Sequence, residues 1–279
     1  MLRKKVAVKN FRIGLGEPLT IMTGPCVIEG EDKLLFAAQA LKKMLSKFKI
    51  NFVFKSSYDK ANRSSIDSYR GPGLYEGLRL LEKVKDLFDL PVITDVHSVE
   101  EARAAGEICD IIQVPAFLIR QTDLVVAAGK TGKVVQLKKG QFMAPWDMKN
   151  VVDKVFSTGN ENILLIDRGT TFGYNNLISD MRAIPIMQNT GFPVGFDATH
   201  SVQLPGGLGT MSGGQREFIP VLARSSLAAG ADYIYAESHS NPQEGLSDSK
   251  SMLSFEELEK EIPTWIAIHD ILRGCCQGE

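Results

Sequence analysis

Residues 91–138 read PVITD-VHSVEEARAAGEIC-DIIQV-PAFLIRQTDLVVAAGKTG-KVVQLK. Three short runs stand out: Pro91–Asp95, Asp110–Val114 and Lys133–Lys138. They are rich in Val and Ile and apolar at consecutive positions, as strands buried on both faces must be. The segments between them change period. Ser98 stands three residues before Glu101, the spacing of a capping box, and Thr122–Ala128 continues a helical pattern. Strand and helix alternate, which specifies parallel strands joined by helical crossovers.

Working outward, the same kind of run recurs at Leu19–Thr23, Asn51–Lys55, Asn162–Asp167, Pro193–Asp197 and Asp232–Glu237, making eight in all. Helical spacing follows each. Leu34, Leu35, Ala38, Leu41, Leu45 and Phe48 recur behind the acidic opening Glu31-Asp32. Gly73–Leu87 and Ser179–Gln188 read as helices, and Asp147 is placed to cap one through Val151, Val152 and Val155. Ser212 with Gln215, and Ser254 with Glu257, repeat the capping-box spacing. Eight repeats predict a closed (β/α)8 TIM barrel rather than an open doubly wound sheet. The first turn, Gly24-Pro25-Cys26, also lacks the glycine-rich phosphate loop of an open dinucleotide-binding sheet. Val6 to Ile13 predicts a short N-terminal β-hairpin that covers the barrel bottom. No repeat, linker or charge run divides the chain, so residues 1–279 are expected to form a single domain.

Composition narrows the function. The 279 residues carry 32 Lys plus Arg against 33 Asp plus Glu, a formal net charge of −1. Hydrophobic residues at 44% and charged residues at 23% exclude a disordered or low-complexity chain. Near neutrality gives no footprint for nucleic acid or an anionic membrane surface, so any anion site must be local. Cys26, Cys109, Cys275 and Cys276 form no disulfide framework, which favours a reducing compartment. The start lacks a signal-type apolar core, and no apolar run approaches the roughly 20 residues a bilayer needs. A soluble, cytoplasmic protein is expected.

In a barrel of this kind the active site lies at the C-terminal strand ends. The residues that follow the eight runs are Cys26, Lys55, Asp95, Gln113, Lys138, Arg168, His200 and Glu237. A single polar strand end is commonplace, because loops begin there. Eight converging on one mouth are not. Lys55, Lys138 and Arg168 are fixed cations suited to phosphates or carboxylates, although Asp95 and Asp167 are available to pair with them. The long loop after the second run, with Lys60 and Arg63, offers a second anion site or merely a solvated surface. Cys26, His200 and Glu237 offer sulfur, nitrogen and oxygen from neighbouring strands, with Asp248 as a fourth donor and His239 as a competitor. That set suits Zn, Fe or Mn. Cys26 as a small buried hydrophobe is the plain alternative.

The segments around these residues are specific. Gly24-Pro25-Cys26-Val27-Ile28-Glu29, Lys55-Ser56-Ser57-Tyr58-Asp59-Lys60-Ala61-Asn62-Arg63-Ser64, Arg70-Gly71-Pro72-Gly73, Gln113-Val114-Pro115-Ala116-Phe117, Asp167-Arg168-Gly169 and Asp197-Ala198-Thr199-His200-Ser201 together resemble the 3-deoxy-D-manno-octulosonate 8-phosphate synthases over essentially the whole length. The resemblance implies condensation of phosphoenolpyruvate with D-arabinose 5-phosphate and water, releasing inorganic phosphate. It maps Lys138, Arg168 and the Ala116 amide onto the phosphoenolpyruvate phosphate. Lys55, Lys60 and Gln113 map near its carboxylate and reacting carbons. Asn62, Arg63 and Ser64 map onto the aldose phosphate. Asp95, His200 and Asp248 join Lys55 and Lys60 in the catalytic set, with Lys60 and Asp248 as proton-transfer candidates.

Cys in place of Asn at position 26 matches the metal-dependent class, whose ligands map onto Cys26, His200, Glu237 and Asp248. A divalent Mn, Zn or Fe ion, a homotetramer and a role in lipopolysaccharide biosynthesis are implied on the same ground. Ser238-His239-Ser240-Asn241-Pro242 and Ser249 depart from the family pattern and weaken the mapping of Asp248 most. Two rivals remain: a heptulosonate 7-phosphate synthase using erythrose 4-phosphate, and a barrel that binds sugar phosphates without catalysis.

Overall fold

The computed structural model describes residues 3–63, 65–206 and 213–275, with side chains through residue 272. Eight parallel strands form the barrel: β1 (Thr20–Gly24), β2 (Asn51–Lys55), β3 (Val92–Asp95), β4 (Ile111–Val114), β5 (Val134–Lys138), β6 (Ile163–Asp167), β7 (Val194–Asp197) and β8 (Tyr233–His239). Each pairs with the next, and β8 closes onto β1 with Tyr235 beside Met22. Helices α1 (Glu31–Leu45), α2 (Leu74–Phe88), α3 (Val99–Ile108), α4 (Thr122–Lys130), α5 (Met148–Phe156), α6 (Ala183–Gln188), α7 (Ile219–Ala228) and α8 (Phe255–Cys275) follow the strands in turn.

The period-2 alternation of a strand sorts its residues into two cores. Ile21, Phe54, Val92, Ile112, Val135, Leu165, Phe196 and Ile234 face the helices. Met22, Val53, Ile93, Ile111, Val134, Leu164, Ile166, Tyr233 and Tyr235 fill the barrel interior, together with Val6, Val8 and Ile13. Those last three come from the N-terminal hairpin, where Val6 pairs with Ile13 and Val8 with Phe11. A hairpin this short is not stable alone. Burying each Val or Ile in the barrel bottom contributes about 1.5–3 kcal/mol, which holds it there as a plug. Gly195 makes room for this layer: a Cβ at that position would sit 2.3 Å from the Tyr233 ring.

Helix ends follow the sequence with three differences. Ser254 and Glu257 form the complete reciprocal box, with bonds of 3.1 and 2.7 Å. Ser98 caps α3 through the Glu101 amide at 3.2 Å, but the Glu101 carboxylate turns to the His97 amide instead. Asp147 does not cap α5 through its side chain. It is already helical, at the end of a 310 turn over Pro145–Asp147. The helix expected from Ser179 begins at Ala183, because Thr170–Thr171 and Leu177–Ile178 form a small hairpin just ahead of it. Ser212 lies outside the described residues. Among the described residues no helix is long and apolar enough to cross a membrane.

Candidate active site

The inward-facing ladder of each strand runs from apolar at the bottom to polar at the top. Two residues beyond Val53 comes Lys55, beyond Ile93 Asp95, beyond Ile111 Gln113, beyond Ile166 Arg168, and beyond Tyr235 Glu237. β5 carries two such steps, Gln136 and Lys138, and β7 carries Gly195 then Asp197. The last step of β1 leads to Cys26. Gly24 makes that step feasible, because its φ of 153° and its approach to Lys55 leave no room for a side chain: a Cβ would lie 2.2 Å from the Lys55 carbonyl oxygen. Of these groups Lys55, Asp95, Gln113, Lys138 and Arg168 line a cavity of about 390 Å³ at the C-terminal mouth, whereas Cys26, Glu237, Gln136 and Asp197 are buried outside its lining.

Lys55, Lys60, Asn62, Arg63, Asp95, Gln113, Ala116, Lys138, Arg168, His200 and Asp248 all line that cavity, as the sequence leads one to expect. Ser64 lies outside the described residues. His239, offered above as a competing ligand, is not in the site. Its Nδ1 is bonded at the Asn241 backbone, and its Nε2 lies 3.6 Å from Glu29. His97 also lines the wall, held by Glu101 at 2.9 Å.

Glu237 sits at the centre of the buried charges. Its Oε1 lies 3.1 Å from Lys55 Nζ, 3.6 Å from Lys60 Nζ and 3.7 Å from His200 Nε2, and accepts from the Tyr235 hydroxyl at 3.1 Å. Burial works to protonate it, but Lys60, His200, Lys55 and Lys138 outweigh burial and hold it well below the usual carboxylate range. Asp95 is held low in the same way against burial, by Lys55, Lys60 and Lys138 and by a 2.6 Å bond from Ser57. Its other oxygen accepts from Gln113, which in turn accepts from Gln136 at 2.8 Å. Asp197 contacts Lys138 and lies 2.7 Å from His200 Nδ1; these two partners overcome its burial and keep it ionised.

Cys26, Glu237 and Asp248 form one cluster, with a ligand atom of each within 4.8 Å of the others. Cys26 Sγ lies 3.1 Å from Asp248 Oδ2 and 2.9 Å from Ser247 Oγ. His200 Nε2 stands 3.7 Å from both Glu237 and Asp248. Burial, then Asp248 and Glu237, push the Cys26 thiol well above its ordinary value. Among the described residues Glu237 Oε2 is buried without a hydrogen-bond partner. Such an orphaned oxygen facing a thiol and a second carboxylate is what a divalent cation would satisfy, and the sulfur–nitrogen–oxygen donor set fits one. Asp248, the donor the sequence left weakest, stands in this cluster.

Among the described residues Arg168 and Arg63 have no carboxylate partner in hydrogen-bond or ion-pair contact. Arg168 is 4% exposed, and its Nη2 donates only to neutral oxygens, the His200 carbonyl at 2.9 Å and Gln203 Oε1 at 2.7 Å. Burial pushes its pKa down, and the acids around it do not fully compensate. Arg63 likewise donates only to the carbonyls of Tyr69, at 3.1 Å, and Leu246, at 3.3 Å. A buried guanidinium such as Arg168, hydrogen-bonded to neutral oxygens, is prepared for an incoming anion.

Four polar groups of this buried network were not singled out by the sequence reading: Ser57, Gln136, Tyr235 and Asp197. Tyr235 was counted as apolar, yet its ring lies 4.7 Å from Lys138 Nζ and 5.4 Å from Lys55 Nζ. Counting back by two from each polar strand end would have found Gln136 and Tyr235.

The sequence model of the DAHP synthetase I family matches residues 3–273. A 2-dehydro-3-deoxyphosphooctonate aldolase of Protochlamydia amoebophila (strain UWE25) is 60% identical over 270 residues, covering 97% of this chain and 98% of its own. One of Geobacter sulfurreducens is 53% identical over 272 residues, covering 98% and 100%. One of Desulfatibacillum aliphaticivorans is 56% identical over 259 residues, covering 93% and 95%.

Proposed function

The chain belongs to the DAHP synthetase I family, and from that premise we propose that it condenses phosphoenolpyruvate with D-arabinose 5-phosphate and water to give 3-deoxy-D-manno-octulosonate 8-phosphate and inorganic phosphate. The relatives' shared name supports the eight-carbon product. The observation that carries the reading is the pair of guanidiniums, Arg168 and Arg63, that among the described residues donate only to neutral acceptors, in a cavity already lined by three lysines. Two phosphates and a carboxylate need such a charge surplus to meet without repelling each other.

Lys138, Arg168 and the Ala116 amide bind the phosphoenolpyruvate phosphate. Lys55, Lys60 and Gln113 hold its carboxylate, with Asp95 fixing Gln113 and countering the lysines. Arg63, Asn62 and Ser64 take the aldose phosphate. Anchoring both substrates by their anionic ends presents C3 of phosphoenolpyruvate to the aldehyde and replaces a bimolecular encounter by a positioned one. As the carbon–carbon bond forms, C2 becomes electron-poor and water adds there. Phosphate then leaves by carbon–oxygen cleavage, its charge met by the fixed cations. Lys60 and Asp248, both lining the cavity, are the two candidates for proton transfer.

Cys26, His200, Glu237 and Asp248 are the residues that would hold a divalent metal of the Mn, Zn or Fe type. When bound, it supplies Lewis acidity that polarises a carbonyl oxygen or acidifies water. Asp197 beside Nδ1 leaves His200 Nε2 as the nitrogen turned to this cluster. A homotetramer and a cytoplasmic location go with the same reading. The exposed aromatic rings of Phe142, Trp146, Phe172 and Tyr174 support a subunit interface, and the free thiols of Cys26 and Cys109 support a reducing compartment.

The family model carries the heptulosonate synthase name, so erythrose 4-phosphate is the second aldose to test. Phosphate release is measured with each aldose, before and after chelation and with Mn²⁺, Zn²⁺ or Fe²⁺ restored. Preference for arabinose 5-phosphate and metal-restored activity support the assignment. Turnover only with erythrose 4-phosphate, or with neither aldose, overturns it.

A further inference from the structure

Asp248 is carried by the loop between β8 and α8, eleven residues beyond Glu237. Its backbone lies in the left-handed region, with φ at 49°. A side chain there is uncommon, although Asp tolerates it, and the conformation persists only where neighbours enforce it. On its C-terminal side the turn is closed by Ser251 donating to the Asp248 carbonyl at 2.9 Å. On its N-terminal side one bond reaches out of the loop altogether. The Leu246 amide donates to Glu29 Oε1 at 2.8 Å.

Glu29 lies three residues after Cys26, in the loop that leaves β1. Its side chain is only 3% exposed and is flanked by Lys33 Nζ at 3.1 Å and His239 Nε2 at 3.6 Å. The carboxylate therefore ties the loop bearing Asp248 to the loop bearing Cys26. The same residue has a second tie, since the Leu246 carbonyl accepts from Arg63 at 3.3 Å. Leu246 thus joins three loops, and Asp248 hangs two residues beyond the joint.

We propose that Glu29 is a positioning residue that, through the Leu246 amide, sets Asp248 against Cys26 and Glu237. This rests on the reading that the cluster holds a divalent metal. Glu29 touches neither metal nor substrate in this role. It fixes the entry of a loop whose ligand would otherwise be presented from a chain free to relax. Removing an outer partner of this kind characteristically weakens metal binding about 10- to 100-fold.

The test titrates the metal-freed full chain with Co²⁺ and follows the thiolate-to-cobalt charge-transfer band that Cys26 would give. Glu29→Ala is expected to raise the Co²⁺ dissociation constant about 10- to 100-fold, whereas Glu29→Gln, whose amide oxygen can accept the same bond, stays within about threefold. Leu246→Pro deletes the bond from the donor's side and serves where Glu29→Ala does not fold. The preceding Gly245, at φ −61° and ψ 129°, already has the extended geometry a following proline demands. It should weaken binding as Glu29→Ala does. Unaltered Co²⁺ affinity in Glu29→Ala overturns the positioning role alone, as does equal weakening in the Gln and Ala variants. Absence of the band from the unsubstituted chain overturns the metal reading, and the positioning role with it.

Discussion

Arg168 should be dispensable to the fold and essential to turnover. Its Nη2 meets two neutral oxygens, and burial has pushed its pKa below the ordinary value despite Asp197, Asp248, Asp167 and Glu237 nearby. A basic group whose folded pKa lies below its unfolded one opposes folding wherever the unfolded chain keeps it charged, which includes neutral pH. Arg168→Met removes that opposition and keeps a side chain of similar reach. It also forgoes two hydrogen bonds of about 0.5–1.5 kcal/mol net each. The two effects oppose, so the midpoint of thermal unfolding should hold within about 4 °C or rise, at about 2–4 °C per kcal/mol for a domain of this size.

The activity should respond very differently. Among the described residues only Nη2 of Arg168 has protein acceptors, which leaves Nε and Nη1 for the phosphate. Two hydrogen bonds to a charged partner at about 1.5–3 kcal/mol each amount to about 3–6 kcal/mol. At 1.36 kcal/mol per decade, kcat/KM for phosphoenolpyruvate should fall about 10²- to 10⁴-fold. Initial rates of phosphate release over a range of phosphoenolpyruvate, beside a thermal melt of both proteins, measure the two effects together. A kcat/KM within about tenfold of the parent, or a midpoint lowered by more than about 6 °C, would refute the assignment of Arg168 as a cation kept for substrate.

Cys26→Ala should lose both metal and most activity, read by metal analysis and phosphate release, and Cys26→Asn should bind no metal; full metal-free activity of Cys26→Ala would show the thiol to be a bystander. Asp95, Asp197 and Glu237 are all depressed below their ordinary values of 3.8 and 4.5, so their contribution to stability is complete above those values and is lost as pH falls below them. Urea unfolding from pH 7 to pH 3 should therefore show a level stability that drops steeply in the acid range, with uptake of more than one proton. Val8→Asp places a charge in the barrel plug, where Val8 is 2% exposed, and should lower stability by about 3 kcal/mol or more, seen as a fall of about 6–12 °C in the melt. Ser254→Ala breaks the reciprocal cap of α8 and should cost about 1 kcal/mol, with turnover unchanged.

The eight strands were legible because a strand covered on both faces leaves a run of Val, Ile and Leu that no amphipathic helix produces. Each expected run meets an observed strand, with ends shifted by a residue or two where pairing starts late or, in β8, continues to His239. The strand-end groups were legible for a geometric reason. Parity carries the inward face of each strand from core to mouth, so the polar group two residues past a buried aliphatic must look into the cavity. What the sequence hides is partnership. Asp248 and Glu29 reach each other's neighbourhood through loops, where no period constrains the register, and His239 shares the parity of Glu237 yet bends away to Glu29.

Asp197 shows why such partnership matters to the chemistry. It was visible as a strand end, but only as the residue before a more conspicuous histidine. In the fold its Oδ1 accepts from the His200 amide at 2.9 Å and from Thr199 at 3.2 Å, which shapes the turn. Its Oδ2 meets both Lys138 and His200 Nδ1. A carboxylate beside Nδ1 favours the proton there and so leaves Nε2 as the lone-pair nitrogen, the atom that stands 3.7 Å from Glu237 and Asp248. The same oxygen steadies the lysine assigned to the phosphoenolpyruvate phosphate. One buried anion thus stands against both the histidine proposed for the metal and the lysine proposed for the phosphate. It is itself kept ionised by those two groups against its own burial. On the proposed assignment, the lysine for the phosphate and the histidine for the metal are therefore held in register through a residue that need touch neither substrate nor metal.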